Sequence, residues 1–480
     1  MSLRRWRELA PYAIVAAFLV GLAVVVADDW VWTGDTLTVR NGAAGIVKCF
    51  REGHLSSCDA HNPAFFDVGP LPLFQYLPGI VFYELGIAGD EALHWFAWLS
   101  FAAFGGTLAL YWQVSARTGS SALSPILLVT ALTGPLLWYS HAAFGEALAA
   151  FLAVLYLSAI LTRRSGLVIA ATLWMAALTK EVALPFLLAL ALIAYYGRRD
   201  MPRPTRGETV GLAVGALAAL LTTALFNVFR YGGPSNDVYL SAAARVPDLG
   251  RRAEFFAGLW LSPNGGMAWF WPSATFLLVA AALFGWGART GQPSRRWPAA
   301  AVVLVIVGLT AGFATITNPF GWYAWGPRYL IPWIPCLVLL VVVLYRERFE
   351  ALCRALVSSR KRWVASSALL SAVSLPQLGA ILQDRDDLFA WLFSATKGCP
   401  RDITVLDGAD RYYECLSHQA WGRFPVLVRT YEGFASLEGA IYSCAFVASI
   451  AALLWLAKLR MEPAGIEPAT SCLQSRRSPN

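Results

Sequence analysis

Apolar residues run along this chain in long blocks, broken by short polar segments rich in arginine or tryptophan. A helix needs roughly 17–25 apolar residues to cross the hydrocarbon core of a bilayer, and the blocks, of about 14–24 residues, are candidates for such spans. They fall at about 11–27, 92–114, 122–139, 145–161, 166–179, 182–196, 209–227, 268–287, 298–316, 329–344, 363–382 and 434–457. One further block, 71–88, opens Pro70-Leu71-Pro72 and carries Gln75, Pro78 and Glu84. The pattern predicts an all-α polytopic membrane protein.

Charge placement orders these blocks. Arg4, Arg5 and Arg7 precede the first, and Arg117, Arg163-Arg164, Arg198/Arg199/Arg203/Arg206, Arg289/Arg295/Arg296 and Arg346–Arg362 fall in alternate connections. They share the cytoplasmic side only if 71–88 does not cross. The expectation is therefore twelve spans with both termini cytoplasmic, and 71–88 as a re-entrant or juxtamembrane helix. Outer segments then fall at 28–70, about 140–146, Thr179–Val182, 228–267, 317–328 and 383–433.

Composition agrees. Of 480 residues, 57% are hydrophobic and only 14% charged, with mean hydropathy +0.54, whereas soluble domains carry about 25% charged residues. The net charge of +8 is not a nucleic-acid signature, because the basic residues sit between apolar blocks, where they set topology and meet lipid headgroups. Arginine far outnumbers Lys48, Lys180, Lys361, Lys397 and Lys458, a bias that suggests a GC-rich bacterial genome. Asp28-Asp29-Trp30, rather than a small-residue cleavage site, follows the first block, which reads as an uncleaved span.

Cys49/Cys58 and Cys399/Cys415 lie in two expected outer loops. Disulfides belong to oxidising compartments, so both pairs are candidate bridges and fit the orientation. No C-x-x-C or metal-ligand spacing occurs; no cofactor is required, and a divalent cation is compatible but not indicated. The expected transmembrane domain is 1–462. The tail 463–480, with Ala464–Pro479 resembling the peptide made when a reading frame runs into a tRNA gene, is expected to be disordered.

Asp35 stands in Trp32-Thr33-Gly34-Asp35, ahead of Thr36–Lys48 with Leu37, Ala44 and Val47 at near-helical spacing. A carboxylate there can take a proton from an acceptor hydroxyl, or simply cap a helix. Asp28 and Asp29 read as solvated span-end charges. Glu146, in His141-Ala-Ala-Phe-Gly-Glu146, is an acid at a membrane mouth, where charge is costly unless paired; the helix macrodipole alternatively favours it there. Lys180 offers a point charge to a phosphate, or an ion pair or snorkelling side chain. Ser262-Pro-Asn264-Gly265-Gly266 reads as an anion-binding loop or a tight turn. Arg328, in Trp325-Gly-Pro-Arg328-Tyr329-Leu330, suits bidentate phosphate recognition or interfacial anchoring.

Several motifs carry a resemblance: Gly34-Asp35 after the first span, Gly69-Pro-Leu-Pro-Leu-Phe-Gln-Tyr-Leu, Gly134-Pro135 through Glu146, Ser262-Pro-Asn-Gly-Gly and Trp325-Gly-Pro-Arg-Tyr-Leu330. Over most of residues 10–345 the chain resembles the GT-C fold glycosyltransferases, in their protein-mannosyltransferase and aminoarabinose-transferase-like branch, especially uncharacterised actinobacterial-type membrane proteins. The resemblance implies a GT-C-like bundle in a bacterial plasma membrane. It also implies inverting transfer of a sugar from a polyprenyl-phosphate donor to a glycan, lipid or protein hydroxyl on the outer face. Asp35 is then the general base, Glu146 the second acid, and Arg328 and Lys180 the cations at the donor phosphate. Arg40, Asn264, Gly265, Trp325 and Tyr329 are expected to line donor or acceptor. One departure is Thr36-Leu37-Thr38, where related proteins often place another acid or a tyrosine. A multi-pass transporter or lipid flippase, or an inactive cell-envelope assembly protein, are the alternatives; against transport, the charges sit at the rim and no internal repeat is visible.

Overall fold

Apolar blocks without a polar face satisfy their backbone only as helices inside a bilayer, and helices are what they form. The computed structural model describes residues 3–25, 34–58, 71–87, 90–119, 121–141, 145–180, 182–197, 202–236, 246, 248–287, 296–316, 320, 325–382, 414–417, 420–421, 430, 434 and 436–461. Among these residues there is no strand. The first part comprises α1 (Leu3–Val25), α2 (Gly34–Arg51), α3 (Leu73–Glu84), α4 (Asp90–Arg117), α5 (Ser124–Leu132), α6 (Leu136–Tyr139), α7 (Glu146–Leu161), α8 (Gly166–Ala177) and α9 (Ala183–Gly197). Then follow α10 (Arg206–Tyr231), α11 (Leu249–Leu261), α12 (Met267–Phe270), α13 (Pro272–Trp286), α14 (Arg296–Ala314), α15 (Ile334–Leu344), α16 (Arg346–Val357), α17 (Arg360–Leu382) and α18 (Leu437–Met461).

Among the described residues five helices are long and apolar enough to cross a membrane: Glu91–Arg117, Arg206–Tyr231, Arg296–Ala314, Arg360–Leu382 and Gly439–Arg460. Shorter apolar helices fill Leu9–Ala23, Glu146–Leu161, Gly166–Ala177, Ala183–Gly197, Pro272–Trp286 and Ile331–Leu344. Block 122–139 is not one helix. It stops at Leu132 and resumes at Leu136, because Pro135 has no N–H to continue the ladder and disfavours helical backbone before it. The block expected at 209–227 extends to Tyr231, so Arg230 belongs to the last turn of α10 rather than to a loop. The α3 helix has 12 residues, about 18 Å of rise, well short of a roughly 30 Å hydrocarbon core.

The core centres on α15, buried from Ile334 through Val343, with α7 packed beside it. A helix apolar on every side belongs in the middle of a bundle. By contrast α10 is buried mainly along Gly211, Gly215 and Ala219. A methyl group at Gly211 would collide with the Gly166 carbonyl, and one at Gly215 would come within 2.7 Å of the Ala170 oxygen. This stripe of small residues draws α8 and α10 into backbone contact, as at membrane helix interfaces generally. The opposite side of α10, with Val210, Val214, Leu217, Leu221 and Leu225, is exposed.

The elements of the first polar segment pair with each other. In this segment α2 packs on α3, where a methyl at Gly79 would stand 2.8 Å from the Ala43 methyl. A disulfide joins Cys49, in the last turn of α2, to Cys58 beyond it, with Cα atoms 5.8 Å apart. Ser57 N–H donates to the Val228 carbonyl at 3.3 Å, fastening that clasp to α10. Cys415 is also disulfide-bonded; Cys399 lies outside the described residues.

Candidate functional site

Glu146 is the first residue of α7. The chain reaches it through the 133–135 break, where α13 comes close. A methyl group on Gly134 would overlap the Trp271 indole, whose Nε1–H donates to the Thr130 carbonyl at 2.7 Å. Glycine at 134 is therefore required by close approach. Glu146 ends up fully buried.

Two cations from distant segments meet it. Lys180 Nζ lies 2.9 Å from Glu146 Oε1, and Arg328 Nε lies 2.8 Å from the same oxygen. Among the described residues Glu146 Oε2 has no hydrogen-bond partner. An isolated buried carboxylate costs several kcal/mol, and close cations are what compensate it. The trio carries one net positive charge, so Glu146 serves as counter-ion and spacer for Lys180 and Arg328. Arg328 is only 5% exposed, and its N–H donates to the Gly326 carbonyl at 2.9 Å.

The turn bearing Lys180 also docks α3. Phe74 N–H donates to the Leu178 carbonyl at 3.1 Å, and Gln75 Nε2 donates to the Thr179 carbonyl at 2.8 Å. The carbonyl at the C-cap of α8 and the one just past it thereby gain partners, as helix termini demand.

Where α8 and α10 diverge beyond their small-residue contact, a cavity of about 360 Å³ opens. Its walls come from Leu178, Leu184, Leu220, Thr223 and Phe226, joined by Pro72 and Leu73, and its cations are Lys180 and Arg230. Leu220 is 58% exposed, so the apolar wall continues onto the outer surface of α10.

Arg230 was not legible as a site residue from the sequence. It is 1% exposed, donates to the Leu71 carbonyl and to Asn227 Oδ1, each at 2.7 Å, and stacks over Phe226 at 4.3 Å. Among the described residues its Nε has no acceptor. Among the described residues no carboxylate pairs with it, unlike Lys180 and Arg328. The available signal was an arginine one turn after Phe226, just before the left-handed Gly232 that ends α10.

The other expected residues are dispersed. Asp35 stands at the second position of α2, inside the first turn rather than at the cap; its side chain lies outside the described residues. Arg40, also on α2, donates from Nε to Asn41 Oδ1 at 3.2 Å. The Asn264-Gly265 segment forms a turn: Gly266 N–H donates to the Ser262 carbonyl at 2.8 Å, and Phe320 covers Gly265. Those amides are used within the turn. Trp325 is buried, donating from Nε1 to Gln377 Oε1 at 2.6 Å, while Gln377 Nε2 donates to the Phe270 carbonyl at 2.8 Å. Tyr139 donates to the Trp325 carbonyl at 3.0 Å. Tyr329 stacks on Phe313, centroids 5.4 Å apart. Of the two cations expected at a phosphate, Lys180 faces the cavity while Arg328 stands behind it on Glu146.

No protein-family model and no curated protein matches the chain. Two solved structures are similar to it. Crystalline ArnT from Cupriavidus metallidurans in the apo state is 16% identical, with 94% of this chain and 76% of that chain covered and a TM-score of 0.45. The same protein bound to undecaprenyl phosphate is 16% identical, with 94% and 77% covered and a TM-score of 0.44.

Proposed function

We propose that this protein is an integral-membrane, GT-C-like glycosyltransferase that moves a sugar from a polyprenyl-phosphate donor to a hydroxyl acceptor, with inversion. The observation that carries the reading is the cavity between α8 and α10. It joins two cations, one of them a buried arginine with no carboxylate partner among the described residues, to an apolar wall that runs out to a lipid-facing helix. A solute transporter needs no such wall. A phosphate ester on an isoprenoid chain needs both parts: cations for the head, and apolar surface for the first prenyl units. The remaining chain would lie along Leu217, Leu221 and Leu225 in the bilayer.

In the proposed reaction an acceptor oxygen attacks the anomeric carbon as the carbon–oxygen bond to phosphate breaks. Polyprenyl phosphate leaves, and the acceptor proton passes to the Asp35 carboxylate as general base. Lys180 and Arg230 stabilise the charge gathering on the departing phosphate, where preorganised cations in a dry site contribute most. Glu146 holds Lys180 and Arg328 in place rather than moving a proton. The sequence motifs around Gly34-Asp35 and Trp325–Leu330 support the same assignment. The arginine-rich connections favour twelve crossings in a bacterial plasma membrane, with both termini cytoplasmic and the cavity outside.

The test is incubation of purified protein with a panel of polyprenyl-phosphate sugars and hydroxyl acceptors, followed by mass spectrometry. A glycosylated acceptor is the expected product, lost in Asp35→Asn at unchanged expression. Full activity in Asp35→Asn removes Asp35 as base.

A further inference from the structure

The end of the bundle away from the cavity carries a second cluster that the proposed reaction does not use. Helix α15 leads from the Arg328 segment through the core and ends at Leu344, and α16 follows it as a short amphipathic helix. Phe349, Cys353 and Val357 recur every four residues along α16 and are buried. Arg348 and Arg354 face outward, and the elbow into α17 adds exposed Arg360, Lys361 and Arg362.

Among the described residues no carboxylate neutralises these cations. Arg362 Nη1 donates to the Ala355 carbonyl at 3.3 Å and to Ser358 Oγ at 3.1 Å, stapling the elbow. Arg354 Nε donates to the Glu350 carbonyl. Among the described residues no carboxylate pairs with Arg348, Arg354, Arg360, Lys361 or Arg362, although Glu347 and Glu350 lie on the same helix.

Aromatic residues fix the level of this cluster relative to the bilayer. Trp363 packs edge-on against Trp455 of α18, centroids 5.6 Å apart, and Lys458 Nζ lies 5.0 Å from the Trp455 ring centroid. Tryptophan collects at the membrane–water boundary. Arg360, Lys361 and Lys458 therefore stand at headgroup level, one turn or less beyond the rings.

We propose that the α16–α17 elbow, with the last turn of α18, is a docking site for anionic phospholipid headgroups. Arg348, Arg354, Arg360, Lys361 and Arg362, none of them paired with a carboxylate among the described residues, supply the charge, and the Trp363–Trp455 pair supplies an interfacial wall for the glycerol and upper acyl chains. A polybasic segment next to a span gains roughly fivefold in anionic-lipid affinity per basic residue.

The experiment uses the full chain reconstituted in phosphatidylcholine vesicles containing trace spin-labelled phosphatidylglycerol or spin-labelled phosphatidylcholine. The wild-type protein retains the phosphatidylglycerol label preferentially, and high salt collapses that preference. Arg360→Gln/Lys361→Gln lowers it by about fivefold per charge removed, while charge-keeping Arg360→Lys retains it. Arg206→Gln, an exposed arginine at the start of α10 on the same end of the bundle, leaves it unchanged. Equal loss in Arg206→Gln would reduce the site to diffuse surface charge and overturn the proposal. An unchanged preference in the double variant would do the same. So would a wild-type protein that shows no lipid preference but captures an acidic polypeptide.

Discussion

Glu146 and Arg328, 182 positions apart in the chain, are joined by a 2.8 Å contact in the interior. The same carboxylate oxygen also receives Lys180, so one acid ties the start of α7 to two otherwise unrelated segments. Removing that acid takes the shared counter-ion away from buried Arg328 and part-buried Lys180. Glu146→Gln is expected to lower stability by roughly 3–5 kcal/mol, read as a lower unfolding temperature in detergent. Lys180→Gln, which leaves Arg328 on Glu146, costs less. A neutral Glu146→Gln would show that the trio does not hold the site together.

The disulfide predicts a second effect. Cys49–Cys58 closes a loop at sequence separation nine, and its far side bonds to Val228 of α10, close to Arg230. Chain-entropy arguments give such a loop about 3 kcal/mol. Cys49→Ser/Cys58→Ser should unfold at lower temperature and bind donor lipid more weakly, since the α10 end is released. Reductant should reproduce both effects in the wild type. An unchanged unfolding temperature and unchanged donor affinity would assign the clasp no structural role.

How much of this was readable beforehand depends on range. The apolar blocks located the helices, because apolar run and length are local properties. Glu146, Lys180 and Arg328 stood out as charges at the ends of such blocks. Their meeting was not readable, since nothing local links positions 146, 180 and 328. Arg230 was lost for a smaller reason. Ending the block at 227 placed it in a loop, whereas the helix continues to the left-handed Gly232. The break at 133–135 was carried by Pro135 but obscured by the apolar residues on either side.

His141 gives a pH dependence. It is buried in the turn before α7, and burial pushes its pKa down to about 4, opposed by a hydrogen bond to the Leu137 carbonyl. The native side chain is therefore neutral where the unfolded one, near 6.5, begins to take up a proton. Stability should be complete above about pH 6.5 and fall by up to roughly 3 kcal/mol as pH drops towards 4. Unfolding temperature against pH checks this, with His141→Gln predicted to flatten the slope. An identical slope in that variant would place the titration elsewhere.

Arg230 separates head recognition from chemistry. Losing one charge-assisted contact to phosphate corresponds to about 1.5–3 kcal/mol, so Arg230→Gln should raise KM for the lipid-linked donor by roughly ten- to a hundredfold. Arg230→Lys should recover part of it. A KM equal to wild type in both variants would remove Arg230 from the donor site.

The most direct measurement follows the donor itself. Purified protein is given a polyprenyl-phosphate sugar with a hydroxyl acceptor, and the lipid products are weighed by mass spectrometry. Release of polyprenyl monophosphate matched by glycosylated acceptor, slowed in Lys180→Gln/Arg230→Gln, is the predicted result. Intact donor across the sugar panel, with a folded protein whose vesicles accumulate solute or flipped lipid without bond formation, would contradict the account.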